Sequence, residues 1–381
     1  MTNARIMTTN YIDPDIVSNS FVSSEQTAFP VSNLYNAQRR SKVWRSNGNW
    51  EVTAENNVII FRETAIGPDL TATVAVDEYA STTLFCAAVK TALEAAGDST
   101  YTVSQDATTS KIKIASDGMG GGGIFSLMWT DSDSAGFAAM TGYNTALDDT
   151  GALTYTADSL KIHTSEWIKW DMGISTNPTA FILIGARNNP IKITPTATIK
   201  LQGNETNVWD DPSYEQTLTY DDEAISLFAA DGLHTEALRY WRLFIQDTDN
   251  TAGYVEIGSL FLGIFASPTR GAIQFPLTGL PIDRSNTSVS EGGQTFSDIR
   301  QKTERLAFEW RGLTLTEKEE FDDLFSDVGT SLPFFVQLDP NLVYSSRASK
   351  YIRFVKFESE PTYSLDTPNN FSARWSIREE L

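Results

Sequence analysis

The sequence predicts a mostly β protein with minor α content: a jelly-roll β-sandwich interrupted by an α+β insertion, followed by a C-terminal β-sheet domain with one packed helix. Three observations predict this class. Short runs of alternating apolar and polar residues recur between turn residues along the chain. The 381 residues include nine Trp, 13 Tyr and 21 Phe, which are residue types that favour strands. Helical spacing is clear in two stretches only.

The clearest strand pattern lies at residues 238–263. Trp241, Leu243 and Ile245 alternate with residues that would point to the other side. A polar turn closed by Gly253 follows, and a second apolar run occupies 254–262. We therefore predict a hairpin within a larger sheet, with Leu243 and Ile245 facing the core.

The first half of the chain divides into two predicted segments. Residues 1–54 would form an extended arm and the first strands of the sandwich, and residues 55–157 an inserted α+β domain. Inside the insertion, helical spacing over 81–96 ends at Gly97, and 100–105 and 111–115 alternate as a strand pair. The glycine run 118–123 lacks a following Gly-Lys-Ser/Thr and is interpreted as a loop rather than a phosphate site.

The second half resumes the sandwich at 158–267. A proline- and serine-rich stretch at 268–300 predicts a linker or arm, and 301–381 a separate β domain. In that domain Thr316 to Glu319 read as a capping box before a helix that ends at Gly329.

Two family resemblances follow from short motifs. FPVSNLYNAQRRSKVWRSNGNW at 29–50, EWIKWDMG at 166–173 and the 238–263 pattern resemble the galactose-binding-like (discoidin) jelly roll. About a hundred residues separate the first two blocks, which predicts the insertion. FEWRGLTLTE at 308–317, GTSLPF at 329–334, Asp339-Pro340 and WSIRE at 375–379 resemble the C-terminal region of phage tail and baseplate proteins. The insertion itself is similar to small modules inserted in phage tail proteins.

These resemblances imply a structural protein of a tailed-phage virion, in the distal tail or baseplate. It would assemble in the host cytoplasm as a homo-oligomeric ring and contact other tail proteins; ring order, neighbours and host stay open. A glycan-binding receptor-recognition tail protein is the first alternative, and a glycoside hydrolase is the second.

Two sets of candidate contacts follow. An exposed aromatic among polar residues suits a sugar ring or a neighbouring subunit; the candidates are Trp209, Tyr214, Asp210 and Asp211. Aromatic residues close to arginines suit an oligomer interface. The candidates there are Arg305, Trp310, Phe334, Phe335, Tyr351, Arg374 and Trp375.

Composition argues against several other classes. The formal charge is −20, which disfavours binding to nucleic acid, and no apolar run is long enough to span a membrane. The single Cys86 lies in an apolar run, as an inert buried thiol would. Two histidines without motif partners suggest no enzyme, and no cofactor or metal site is expected. Calcium in the loops around Asp210 and Asp221 stays an open alternative.

Overall fold

The computed structural model describes residues 4–12, 20–35, 42–118, 124–186, 191–222, 224–229, 233, 236–269, 272–300, 302–338 and 352–380. These residues form a mostly β protein with three α-helices among them, as the sequence predicts. None of these helices is long and apolar enough to cross a membrane. The glycine run from 119 to 123 and Tyr351 lie outside the described residues.

The elements follow the predicted order. The opening segment holds β1 (Arg5–Asn10), β2 (Ser20–Val22), a 3-10 helix (Val31–Tyr35) and β3 (Trp44–Arg45). The next segment holds β4 (Trp50–Val52), β5 (Val58–Arg62), β6 (Leu70–Thr73), β7 (Asp77–Tyr79), α1 (Thr82–Ala96), β8 (Tyr101–Gln105), β9 (Ile112–Ser116), β10 (Phe125–Leu127), α2 (Ala135–Thr141), β11 (Asp149–Ala152) and β12 (Thr154–Thr156). The sandwich then continues with β13 (Glu166–Thr176), β14 (Ala180–Ile184), β15 (Thr198–Asn204), β16 (Tyr214–Thr217), β17 (Ala224–Phe228), β18 (Leu238–Gln246), β19 (Glu256–Ile257) and β20 (Ser259–Ala266). The C-terminal region holds β21 (Ala272–Ile282), β22 (Asn286–Val289), β23 (Thr295–Asp298), β24 (Thr303–Leu313), α3 (Leu315–Val328), β25 (Phe334–Gln337), β26 (Ile352–Phe357), β27 (Thr362–Thr367) and β28 (Asn370–Glu379).

The jelly roll is a sandwich of two antiparallel sheets. One sheet has the strand order β16-β15-β18-β13-β2, and the facing one runs β17-β14-β20-β1. Alternate residues of both sheets fill the space between them. Trp44, Trp170 and Trp241 are fully buried there, together with Leu243 and Ile245. The prediction that Leu243 and Ile245 face the core is confirmed.

The predicted hairpin at 238–263 is wrong in one respect. β18 pairs with β13 and β15, whereas β20 pairs with β1 and β14 in the opposite sheet. The connection therefore crosses the sandwich. Asn250 anchors it, because its side-chain amide donates to the backbone oxygens of Lys192 and Tyr254 and to Asp247. Alternation identifies which face of a strand is buried, but it does not identify the strand beside it.

Strand β1 joins the jelly roll to the C-terminal region. It pairs with β20 on one side and with β25 on the other, which makes a single ten-stranded sheet. Arg5 is buried at this junction. Its guanidinium lies 4.2 Å from the ring centroid of Phe228, and its Nη1 donates to Gln337 Oε1 at 3.4 Å. Residues 5–10, expected within an arm, are thus an internal strand.

The segment from β4 to β12 has a hydrophobic core of its own. Helix α1 begins after Ser81, whose hydroxyl accepts from the Leu84 amide, and it packs Phe85 against Trp50 with ring centroids 4.6 Å apart. Trp50 and Val52 belong to this core. A separate core is what an independently folding insertion needs, and the division of the chain into domains stays a prediction.

The C-terminal sheet packs against α3 through Trp310, Phe321 and Trp375. The capping box is two residues earlier than predicted: Thr314 caps the helix, and Glu317 is its third residue and bonds back to the Thr314 backbone. Thr314–Glu317 and Thr316–Glu319 have the same three-residue spacing, so the motif alone does not identify which threonine caps the helix.

The structure differs from the predicted linker at 268–300. Ala272–Ile282 is an edge strand of the ten-stranded sheet and pairs with β24. The prolines that suggested a linker are tolerated at an edge, where one side of the strand has no partner. Among the strands of the described residues, β22 and β23 pair only with each other, and every residue in them is exposed. Val289 and Phe296 are among the exposed apolar side chains.

Candidate functional site

The outer face of the five-stranded sheet carries a line of functional side chains. Strand alternation turns Ile168, Leu243 and Leu201 into the core, so their neighbours point outward. The register aligns these neighbours directly across five strands. We call this line the central row; it consists of Phe21, Lys169, Arg242, Gln202 and Glu215.

Two cations occupy the middle of the central row. Lys169 and Arg242 are directly opposite each other on β13 and β18, and like charges in that position repel. Burial lowers the pKa of Arg242 to about 10, and it lowers the pKa of Lys169 as well; the charge of Arg242 adds to the latter effect. Arg242 remains charged at neutral pH.

A hydrogen-bond relay fixes the orientation of Arg242. Its Nε donates to Gln202 Oε1 at 2.7 Å, and Gln202 Nε2 donates to Glu215 Oε2 at 2.6 Å. Lys200 Nζ donates to the other oxygen of Glu215 at 2.7 Å. Across the described residues of the chain, the hydrogen bonds found for Arg242 use Nε alone. Its two terminal nitrogens have no hydrogen-bond partner among the described residues.

Aromatic rings flank the two cations. The Trp209 ring centroid lies 4.5 Å from Cζ of Arg242, and the Trp167 ring centroid lies 4.5 Å from Nζ of Lys169. These distances are typical of cation–π contacts. Phe21, next to Lys169 in the central row, is 48% exposed. Flat apolar surface and strong donors thus lie side by side.

A pair of carboxylates faces the central row from the inserted segment. Glu51 on β4 and Glu78 on β7 are directly opposite each other, and the Trp167 indole N–H donates to Glu78 Oε1 at 3.3 Å. Burial, the charge of Glu78 and the charge of Asp210 raise the pKa of Glu51, whereas Arg242 lowers it. Glu51, Glu78 and Asp210 form what we call the acidic wall beside the cations.

The four predicted sugar contacts have different fates. Trp209 is half-buried, with its ring on Arg242 and its indole N–H donated to Asn207 Oδ1 at 2.9 Å. Asp210 and Asp211 are exposed. Tyr214 is buried against Trp241, with ring centroids 5.8 Å apart. Its proposed contact role is wrong, because β16 turns this residue into the sandwich core.

Most predicted interface aromatics lie in the core of the C-terminal region. Trp310, Phe334 and Trp375 are buried in the cluster beneath α3. Phe335 points to the opposite face of β25, where it is buried in a second cluster with Phe261 and Phe354. They are not available to a second copy in this fold.

The two predicted interface arginines lie outside that core. Arg305 pairs with Glu358, and Arg374 is exposed near Glu309, 3.5 Å from its carboxylate. Tyr351 lies outside the described residues.

Sequence reasoning missed the two central cations and Gln202. The signal was present in EWIKWDMG and LRYWRLFIQ, where Lys169 and Arg242 occupy the positions between core residues. Their significance depends on the strand register, which a single strand does not reveal.

His163 lies beside a buried hydrogen-bond network centred on Glu166. Glu166 accepts from the Ser23 and Ser24 hydroxyls at 2.5 and 2.8 Å and from the Asn49 backbone N–H at 2.9 Å. His163 Nδ1 lies 3.2 Å from the same carboxylate, and both side chains are inaccessible to solvent. This network joins the start of the insertion to β13.

Other reactive groups offer no site. Burial raises the pKa of Cys86 to about 12, so its thiolate is not available at neutral pH. Within the described residues, no group of three or more His, Cys, Asp or Glu side chains is arranged to hold a metal ion. His234 lies outside those residues.

Comparison with known proteins adds little. No family model matches the chain, and no curated protein matches it. Among solved structures, a fucose binding module of Streptococcus pneumoniae, SpX-3, shares 9% identity over 29% of this chain and 72% of that one, with a TM-score of 0.22. Another S. pneumoniae fucose binding module shares 9% over 27% and 66%, with a TM-score of 0.21. A mutant of the lectin binding domain of lectinolysin complexed with Lewis b shares 12% over 28% and 68%, with a TM-score of 0.21. The chain thus has weak structural similarity to glycan-binding lectin modules, and at these TM-scores we base no inference on it.

Proposed function

We propose that this protein is a non-catalytic glycan-binding protein. It would be part of a phage tail and recognise a glycan receptor of the host. The central row carries the proposal. It combines a charged hydrogen-bond donor, oriented by the Gln202–Glu215 relay, with exposed aromatic surface on the outside of the sheet. Saccharides need this combination, because their hydroxyls require directed donors and acceptors and their ring faces require flat apolar surface. The phage setting rests on the sequence resemblance of the C-terminal region.

The test is binding of the full chain to an array of glycans. We expect Arg242→Gln to lower affinity for any bound glycan at least tenfold, because it removes the charged donor at the centre of the row. Arg374→Gln is the matched control: this exposed arginine lies in the C-terminal region, and its loss should leave binding unchanged. A wild-type chain that retains no glycan, or equal effects of the two variants, would overturn the proposal.

A second function, homo-oligomeric assembly of a tail ring, is favoured by the β22–β23 hairpin. Two-stranded hairpins are marginally stable alone in water, yet this one pairs with no other strand of the described sheets. Val289 and Phe296 on it, and Ile299 just after it, are 67%, 58% and 86% exposed. Apolar surface on a projecting hairpin is typical of a protein-interaction site. A ring of copies would also multiply weak glycan contacts.

The assembly proposal predicts that a double variant, Val289→Ser with Phe296→Ser, reduces self-association and leaves the thermal midpoint of the monomer unchanged. The two side chains are mostly exposed within one chain, so their loss should cost the monomer little. Leu365→Ser, at another exposed apolar residue, is the control. Unchanged association in analytical ultracentrifugation would exclude the hairpin as the interface.

A further inference from the structure

We infer that the glycan recognised by the central row carries a carboxylate, which binds between Lys169 and Arg242. This inference rests on the proposed glycan-binding function and names its ligand class. It starts from an arrangement that costs stability: two half-buried cations directly opposite each other in neighbouring strands. Like charges in this position destabilise a sheet.

The lack of ion pairs distinguishes these cations from others in the jelly roll. The chain has 49 acidic and 29 basic residues, so carboxylates are plentiful. Among the ion pairs of the described residues, none includes Lys169 or Arg242. Four other jelly-roll cations have a carboxylate oxygen at 2.5–2.7 Å; the pairs are Arg45–Glu256, Lys161–Asp249, Lys200–Glu215 and Arg239–Asp171.

The geometry of Arg242 suits a carboxylate. Gln202 already accepts from Nε, which leaves the end of the guanidinium with its two terminal nitrogens. That end binds a planar carboxylate through two parallel hydrogen bonds. Lys169 adds a point charge from the neighbouring strand. A bound carboxylate would replace the repulsion between the two cations with two attractions.

The acidic wall limits the charge of the ligand. Both cations feel the charge of Glu78, and Arg242 also feels those of Glu51, Glu215 and Asp210. These carboxylates can accept bonds from sugar hydroxyls, but they repel further negative charge. A singly charged carboxylate is compatible with this balance, whereas a doubly charged phosphate meets stronger repulsion. The ligand class is therefore a uronic or sialic-type sugar.

The experiment compares matched acidic and neutral ligands by calorimetric titration of the full chain. The ligand pairs are methyl glucuronide with methyl glucoside, and sialyllactose with lactose. In at least one pair we expect the acidic member to bind ten times more tightly or better. Lys169→Met should reduce the ratio of acidic to neutral affinity to about one, because it removes the cation and keeps an apolar side chain beside Trp167. Lys90→Met, on helix α1 of the insertion, should preserve the preference.

The outcomes separate this inference from the proposed function. Equal affinity for the members of each pair, or a preference for sulfated or phosphorylated sugars, would overturn the carboxylate and leave glycan binding intact. Absence of binding to every ligand, with no binding on a glycan array, would overturn both. The thermal midpoint of Lys169→Met reports folding, and we expect it to be unchanged or higher because a like-charge contact is removed.

Discussion

At the scale of single residues, the outer sheet face contains groups whose positions serve binding better than stability. Lys169 and Arg242 repel each other, yet packing and a hydrogen-bond relay hold them in place. Proteins tolerate such local conflicts mainly at functional sites. The residues on the core side of the same strands are apolar and pack together. Mutations on the two faces should therefore affect binding and stability separately.

Truncation on the core side should therefore cost much more than truncation outside. Leu243→Ala is expected to lower the free energy of unfolding by about 2–5 kcal/mol, because Leu243 is fully buried between the sheets and its removal leaves a cavity. Thr217→Ala, on an exposed position of β16, is the control. Denaturant unfolding followed by circular dichroism measures both; a Leu243→Ala cost below about half a kcal/mol would contradict the sandwich packing.

One ion pair on the outer face predicts a pH dependence. Arg239 donates to both oxygens of Asp171 at 2.7 and 2.8 Å, and these hydrogen bonds lower the pKa of Asp171. A carboxyl group whose pKa is lower in the folded state than in the unfolded state stabilises the fold. For an aspartate, this contribution is fully present at pH values above the unfolded-state pKa of about 3.9. That contribution disappears as the pH falls through the folded-state pKa.

Asp171→Asn should accordingly lower the free energy of unfolding at pH 7 by up to about 1 kcal/mol, the range for partly exposed pairs. The difference from wild type should shrink towards pH 3. Denaturant unfolding at several pH values measures it, with Asp211→Asn, at an exposed carboxylate, as the control. A difference that does not vary with pH would mean that the ion pair is not its source.

At the scale of elements, the insertion enters and leaves the jelly roll at one place. The Thr164 amide donates to Asn49 O at 2.9 Å, and the Glu51 amide donates to Thr164 Oγ1 at 2.8 Å. The two chain ends therefore lie side by side. Because Trp50 and Val52 pack in the insertion core, a clean excision begins at residue 50 rather than at the predicted boundary of 55.

Replacing residues 50–162 with a short glycine linker should leave a folded protein. The jelly roll keeps its own buried cluster, so we expect a β-type circular dichroism spectrum and one cooperative thermal transition. Loss of either would show that the insertion belongs to the jelly-roll core. The excised protein also lacks Glu51 and Glu78, so its glycan binding reports the contribution of the acidic wall.

Some elements of the fold could be predicted from the sequence alone, and others could not. Helix α1 and the core side of β18 follow from local spacing, which sequence displays directly. The pairing partners of β18 and β20 do not, because alternation looks the same for a hairpin and for a crossing between sheets. The central row needs the register of five strands. Trp209 could be singled out for its polar surroundings, whereas its contact with Arg242 could not.

At the scale of the whole molecule, β1 connects the jelly roll and the C-terminal region through a shared sheet. It supplies the strand between β20 and β25, so residues 268–381 alone would lack a neighbour that their sheet uses. Self-association is therefore best measured on the full chain. The edge strand β21 lies at the periphery of that sheet, and the exposed β22–β23 hairpin follows it in the chain. A neighbouring copy can reach exposed strands of this kind.

The net charge of −20 predicts how such association depends on salt. Copies repel each other at long range, and added salt screens this repulsion within about 8–10 Å at physiological strength. We expect the sedimentation coefficient at micromolar concentration to rise between low and moderate salt, because apolar contacts such as those of Phe296 are not weakened by screening. A complex with DNA would behave in the opposite way, since salt releases proteins from phosphate. Sedimentation velocity at both salt concentrations, with and without duplex DNA, distinguishes the cases. A monomer under every condition would contradict autonomous ring formation, and a shift caused by DNA would contradict the absence of a nucleic-acid partner.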